Sequence, residues 1–132
     1  MVERGFRVPE YSEAVVVRIG AVLLGAGAGS LLATIVGLGA WPVLELLSVR
    51  AAPEAALLFG VIVGLAGGGF VAGRVARLAQ LFHGALSGLA LAGLVTIVAR
   101  LGGSPAATGQ VLVLAVVAIV FGGLGGAIST RF

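Results

Sequence analysis

Few side chains in this sequence can do chemistry, and they fall in a few places. His83 is the only histidine. It follows closely on Arg74, Arg77 and Gln80, which brings a basic pair, an amide and an imidazole together. Such a cluster can hold an anionic lipid headgroup or a partner's carboxylate. An imidazole at membrane depth can also respond to protons or contact a ligand. The plainer use is structural. Arginines at the ends of apolar spans fix orientation and snorkel to the headgroups, and a histidine can satisfy its ring nitrogens locally. The plainer use fits better, because no acidic residue lies near His83 in sequence to complete a metal site. Ser30, Ser87 and Thr96 have no basic neighbour that would activate a hydroxyl nucleophile. Gly67-Gly68-Gly69-Phe70 lacks the following Lys-Ser/Thr of a phosphate loop. The five acidic residues are Glu3, Glu10, Glu13, Glu45 and Glu54, all outside the centres of the apolar runs. A proton- or sodium-coupled carrier usually needs a carboxylate near mid-membrane. The residues therefore predict no enzyme, no metal and no cofactor.

The elements that carry these residues are apolar. Of 132 residues, 60% are hydrophobic and 10% charged, and the mean hydropathy is +1.23. These values lie outside the soluble range. The apolar runs predict an all-α membrane protein, a four-transmembrane-helix bundle in a single membrane domain. A polar tail over 1–14 is followed by helices over about 15–39, 54–76, 81–99 and 106–130, each close to the about 20 residues that cross a bilayer. Ser12 reads as an N-cap with Glu13 in the first turn. Trp41-Pro42 is expected to end the first span, with a short interfacial helix over 43–50. Pro53-Glu54 opens the second. Arg77 to Gln80 is so short a link that the second and third helices should be antiparallel neighbours. Gly102-Gly103 breaks the third, and Ser104-Pro105 announces the fourth. Residues 1–14 mix acids with arginines, and the first span is long for a signal peptide, so it reads as a retained helix. There is no cysteine, no Asp and no Lys.

Small residues recur at every fourth position within these spans. The rows are Gly25, Gly29, Ala33 and Gly37; Gly60, Gly64 and Gly68; Gly84, Gly88 and Ala92; and Ala118, Gly122 and Gly126. An interval of four keeps each row on one helix face. Such faces let backbones approach closely in lipid, where van der Waals contact then holds the helices. The rows are expected to be helix-packing faces of the glycine-zipper kind. The triple glycine Gly67-Gly68-Gly69 is the expected place of a kink or a close backbone crossing.

Arginines set the orientation. Arg4, Arg7, Arg18, Arg74, Arg77 and Arg131 fall on one side of the spans, and Arg50 and Arg100 on the other. The positive-inside rule then puts both termini in the cytoplasm of a multi-pass protein of the cell (inner) membrane. The scattered single arginines do not form a nucleic-acid surface. A shift of 57 residues aligns Gly27-Ala28 with Gly84-Ala85, Ser30 with Ser87, and Arg74 with Arg131. That alignment suggests two parallel helical-hairpin repeats.

The segment Gly67-Gly68-Gly69-Phe70-Val71-Ala72-Gly73-Arg74-Val75-Ala76-Arg77, followed by Phe82-His83-Gly84-Ala85-Leu86-Ser87-Gly88, resembles the YrzE-like group of small four-helix bacterial and archaeal membrane proteins. The resemblance covers residues 60–95, and the outer helices by hydropathy. It implies the four-helix topology and an Arg74/His83 neighbourhood, and it implies no activity. The function expected is that of a non-enzymatic integral membrane protein. It would be a structural, accessory or assembly subunit that packs against copies of itself or within a larger membrane complex. The alternative is a minimal channel or carrier subunit for a small solute.

Overall fold

The computed structural model describes residues 19–104 and 107–132. The expected N-cap at Ser12, the start of the first helix near residue 15, and Pro105 lie outside the described residues. Four helices follow in order: α1 (Ile19–Leu46), α2 (Ala52–Ala76), α3 (Gln80–Leu101) and α4 (Thr108–Ile128), the last closed by a 3-10 turn over Ser129–Arg131. All four are long and apolar enough to cross a membrane. The shortest, α4, has 21 residues, a rise of about 31 Å against a hydrocarbon core of about 30 Å.

The helix boundaries follow local chemistry, with one correction. α1 does not stop near Gly39 or at Trp41-Pro42. It runs through Pro42 to Leu46, so the expected interfacial helix over 43–50 does not exist as a separate element. Proline's φ is compatible with a helix, and its cost is a missing N–H for the carbonyl four residues back. Membrane helices tolerate that loss. What ends α1 is a cap. Ser48 turns left-handed at φ 56°, its N–H donates to the Glu45 carbonyl, and the Val49 N–H donates to that of Leu44. This paired pattern satisfies the last carbonyls of a helix. α3 ends the same way with Gly103 at φ 79°, the Gly103 N–H on Arg100 and the Ser104 N–H on Ala99. There a glycine meets the left-handed requirement without Cβ strain.

α2 opens with Pro53 in its first turn and Glu54 at the positive end of the dipole. α4 starts at Thr108, two residues later than expected, where the Gln110 side chain accepts the Ala107 N–H at 3.0 Å. Between α2 and α3 the chain turns back within Arg77, Leu78 and Ala79. Arg77 and Ala79 are left-handed at φ 59° and 47°, at a cost of about 1 kcal/mol each for residues with a Cβ.

α2 and α3 form the middle of the bundle, and α1 and α4 each pack against both. The Arg74 end holds Arg74, Arg77, Gln80 and Arg131. The Trp41 end holds Trp41 and the two longer loops. α1 and α2 meet along a glycine seam. A methyl group added at Gly64 would lie 2.5 Å from the Gly29 carbonyl oxygen, and one at Gly29 would lie 2.6 Å from that of Gly64. Gly25 and Gly68 face each other in the same reciprocal way, at 2.6 and 2.5 Å. Gly84 and Gly122 repeat the arrangement between α3 and α4. At such contacts a glycine Cα–H points at the facing carbonyl, a weak attraction added to dispersion. α2 also crosses α4 at Gly69, where a methyl group would strike the Gly122 carbonyl. The triple glycine is thus the crossing point of an uninterrupted helix. Nearer the middle, larger side chains take over: Leu65 and Leu91 are buried, with Val61, Val95, Val117 and Phe121 packed around them.

Gly29 and Gly84, Gly64 and Gly122, and Gly68 and Gly126 are alike in that a methyl group at each would lie nearest a carbonyl oxygen of the facing helix. The 57-residue register pairs Arg74 with Arg131, both exposed at the Arg74 end, and pairs Gly27 with Gly84. A methyl group at Gly27 meets nothing within 4 Å, whereas one at Gly84 meets the opposing backbone.

Candidate functional site at the Arg74 end

The buried polar side chains among the described residues are His83, Ser87 and Ser129. All three lie toward the Arg74 end. His83 stands in the first turn of α3 and is 6% exposed. Its Nδ1 lies 3.1 Å from the Ala79 carbonyl oxygen, which can only accept, so the Nδ1–H donates. The Phe82 ring meets the imidazole edge-on, with centroids 5.8 Å apart. This bond ties the ring to the backbone of the left-handed turn.

Ser87 is one turn further along α3 and 1% exposed. Its Oγ occupies the space a Gly25 side chain would need, and among the described residues no hydrogen-bond partner reaches it. It joins α3 to the α1–α2 seam by contact. Ser129 does the same on the other flank. Its Oγ donates to the Gly126 carbonyl at 2.6 Å and fills the space beside Gly73. Sequence reasoning missed Ser129. Its signal is positional: it continues the face that carries Gly122 and Gly126.

Arg74 and Arg77 are both exposed at the C-terminal end of α2. Cations are favoured at that end of a helix dipole. The Arg77 N–H caps the helix on the Gly73 carbonyl at 3.2 Å. The two guanidinium groups thus stand at the surface, and the imidazole stands inside. Among the described residues, no three of His, Cys, Asp and Glu come together in a way that could hold a metal ion.

The Gly25, Gly29, Gly60, Gly64, Gly68, Gly84, Gly88, Gly122 and Gly126 positions all lie against a neighbouring helix within this chain. Gly37 is in ordinary contact, with the Ala56 carbonyl 3.5 Å from an added methyl. A methyl group added at Gly20, Gly27, Gly39 or Gly93 would meet no atom of the described residues within 4 Å.

Toward the Trp41 end three grooves lined by described residues open sideways. One of about 440 Å³ lies among α1, α2 and α3 over Ser30, Thr34 and Val61. One of about 390 Å³ lies between α2 and α4 over Val61, Gln110 and Val117. A third of about 390 Å³ lies between α3 and α4 over Gly93, Thr96 and Arg100. The hydroxyls in these walls are turned back on their own helices. Ser30 donates to Ala26 at 3.0 Å and to Gly27 at 2.9 Å, Thr34 to Ser30 at 2.9 Å, and Thr96 to Ala92 at 2.8 Å.

No protein-family model, curated protein or solved structure matches the chain.

Proposed function

We propose that this is a non-enzymatic integral membrane protein of the cell membrane, with both termini cytoplasmic, that serves as a structural or accessory subunit by associating with copies of itself. The resemblance to the YrzE-like group belongs to the same reading. The observation that carries it is the division of the glycines. The rows at intervals of four are used up inside the bundle, while α1 keeps Gly20, Gly27 and Thr34 exposed. These three are seven residues apart and so share one helix face. A small-residue face left open in lipid is suited to a second helix, because association there depends on close approach rather than on hydrophobicity.

The alternative, a minimal channel or carrier subunit, draws on the buried His83, Ser87 and Ser129 at one end. The hydroxyls weigh against it. Ser30, Thr34 and Thr96 are committed to their own carbonyls and lie in two separate grooves. They do not continue the polar end into a path.

Native mass spectrometry from detergent tests the reading. The wild type should appear as an oligomer, and Gly27→Leu should shift it toward the monomer without lowering its melting temperature. A monomeric wild type, or an unchanged oligomer in Gly27→Leu, contradicts it.

A further inference from the structure

We propose that the groove between α3 and α4 at the Trp41 end binds one anionic phospholipid, with an acyl chain over Gly93 and the phosphate at Arg100. The inference does not depend on self-association. The groove is walled by Leu89, Gly93, Thr96 and Arg100 of α3 and by Val111 and Ala115 of α4. It exists because α3 and α4 are held together by glycine contacts only as far as Gly88 and Ala118. Beyond them, Gly93 contributes no side chain, and a methyl group there would meet nothing within 4 Å. The result is a narrow apolar trough open to the side, the shape and polarity of an acyl-chain site.

Its mouth is charged. Arg100 lies in the last turn of α3 and is exposed. The Thr96 hydroxyl in the same wall donates to the Ala92 carbonyl at 2.8 Å. Val111, in the first turn of α4, borders the same groove. The positive end of that helix dipole therefore adjoins the mouth, and its first turn contains no acidic residue. An arginine beside a helix N-terminus favours a phosphate, which it can bind through two parallel hydrogen bonds. The other two grooves have Gln110 or Ser30 and Thr34 in their walls and no cation. They suit a lipid chain but not an anionic headgroup.

The test is native mass spectrometry of the full chain in detergent, supplied with phosphatidylglycerol or with phosphatidylcholine of identical chains. The wild type should retain a first phosphatidylglycerol about fivefold better than phosphatidylcholine, the factor expected from one arginine near an anionic lipid. Arg100→Gln should bring that ratio close to one, while Arg50→Gln, an exposed arginine at the same end that does not line the groove, leaves it unchanged. Gly93→Leu should reduce retention of both lipids, with no loss of thermal stability, because it fills the trough from a position where an added methyl group meets nothing within 4 Å. Equal retention of the two lipids by the wild type overturns the proposal. So does a preference that survives Arg100→Gln, or lipid retention by Gly93→Leu equal to that of the wild type.

Discussion

Gly64 and Gly27 are both helical glycines in apolar spans, yet a methyl group at Gly64 lies 2.5 Å from a facing carbonyl and one at Gly27 meets nothing within 4 Å. The obstacle at Gly64 is backbone, which cannot rotate aside as a side chain can. Gly64→Leu or Gly88→Leu should therefore separate the helices. Overpacking a well-filled interior costs about 1–3 kcal/mol, and a bulky chain pressed on backbone belongs at the top of that range or above it. Thermal unfolding in detergent should show both variants losing most of the wild-type transition. Melting temperatures equal to wild type would place these faces against lipid. The rows themselves were legible from spacing alone, but which glycines face a partner helix was not, because interval says only that residues share a face. His83 makes a different case. Its Nδ1–H is spent on the Ala79 carbonyl, so His83→Gln, with an amide donor of similar reach, should keep the fold. His83→Leu loses that bond while the Ala79 carbonyl keeps the backbone N–H of residue 83, and should cost about 1 kcal/mol, read by the same melting experiment. Equal stability of the two variants would show that the bond contributes nothing.

Helix ends depend on features that hydropathy does not report. Pro42 looks like a stop because it cannot donate, but the carbonyl it leaves is a tolerable loss and the apolar run beyond it continues the helix. The true stop is Ser48, where a left-handed residue with a Cβ takes the role that Gly103 plays in α3. Nothing about a serine announces that. The short link was easier to read: Arg77 to Gln80 leaves room only for an immediate return, and α2 and α3 do return there. The same alternation of direction makes the orientation testable element by element. With both termini cytoplasmic, reporters fused after Phe132 and within the 77–79 turn should read cytoplasmic, and one at Ser104 external. A cytoplasmic reading at Ser104 would contradict the assigned orientation.

At the scale of the whole molecule, two hairpins are built on the same reciprocal glycine contact, Gly29 with Gly64 and Gly84 with Gly122. That correspondence was hidden in the sequence because the register differs between the first and second helices of each hairpin, so no single shift aligns both. The four spans and their antiparallel order were visible because hydropathy and arginine placement act over many residues. The grooves at the Trp41 end were not, since they arise where packing stops. Among the described residues α1 keeps an exposed small-residue face of Gly20, Gly27 and Thr34, and the proposed self-association requires that face to meet its copy. The chain has no cysteine, so a single introduced thiol reports cleanly. Gly27→Cys and Leu124→Cys place exposed thiols on α1 and on α4, the outer helices on opposite flanks of the bundle. Mild oxidation in native membranes should give a covalent dimer with Gly27→Cys and none with Leu124→Cys. No dimer at Gly27→Cys, or the same yield from both, would contradict the assembly this structure is proposed to serve.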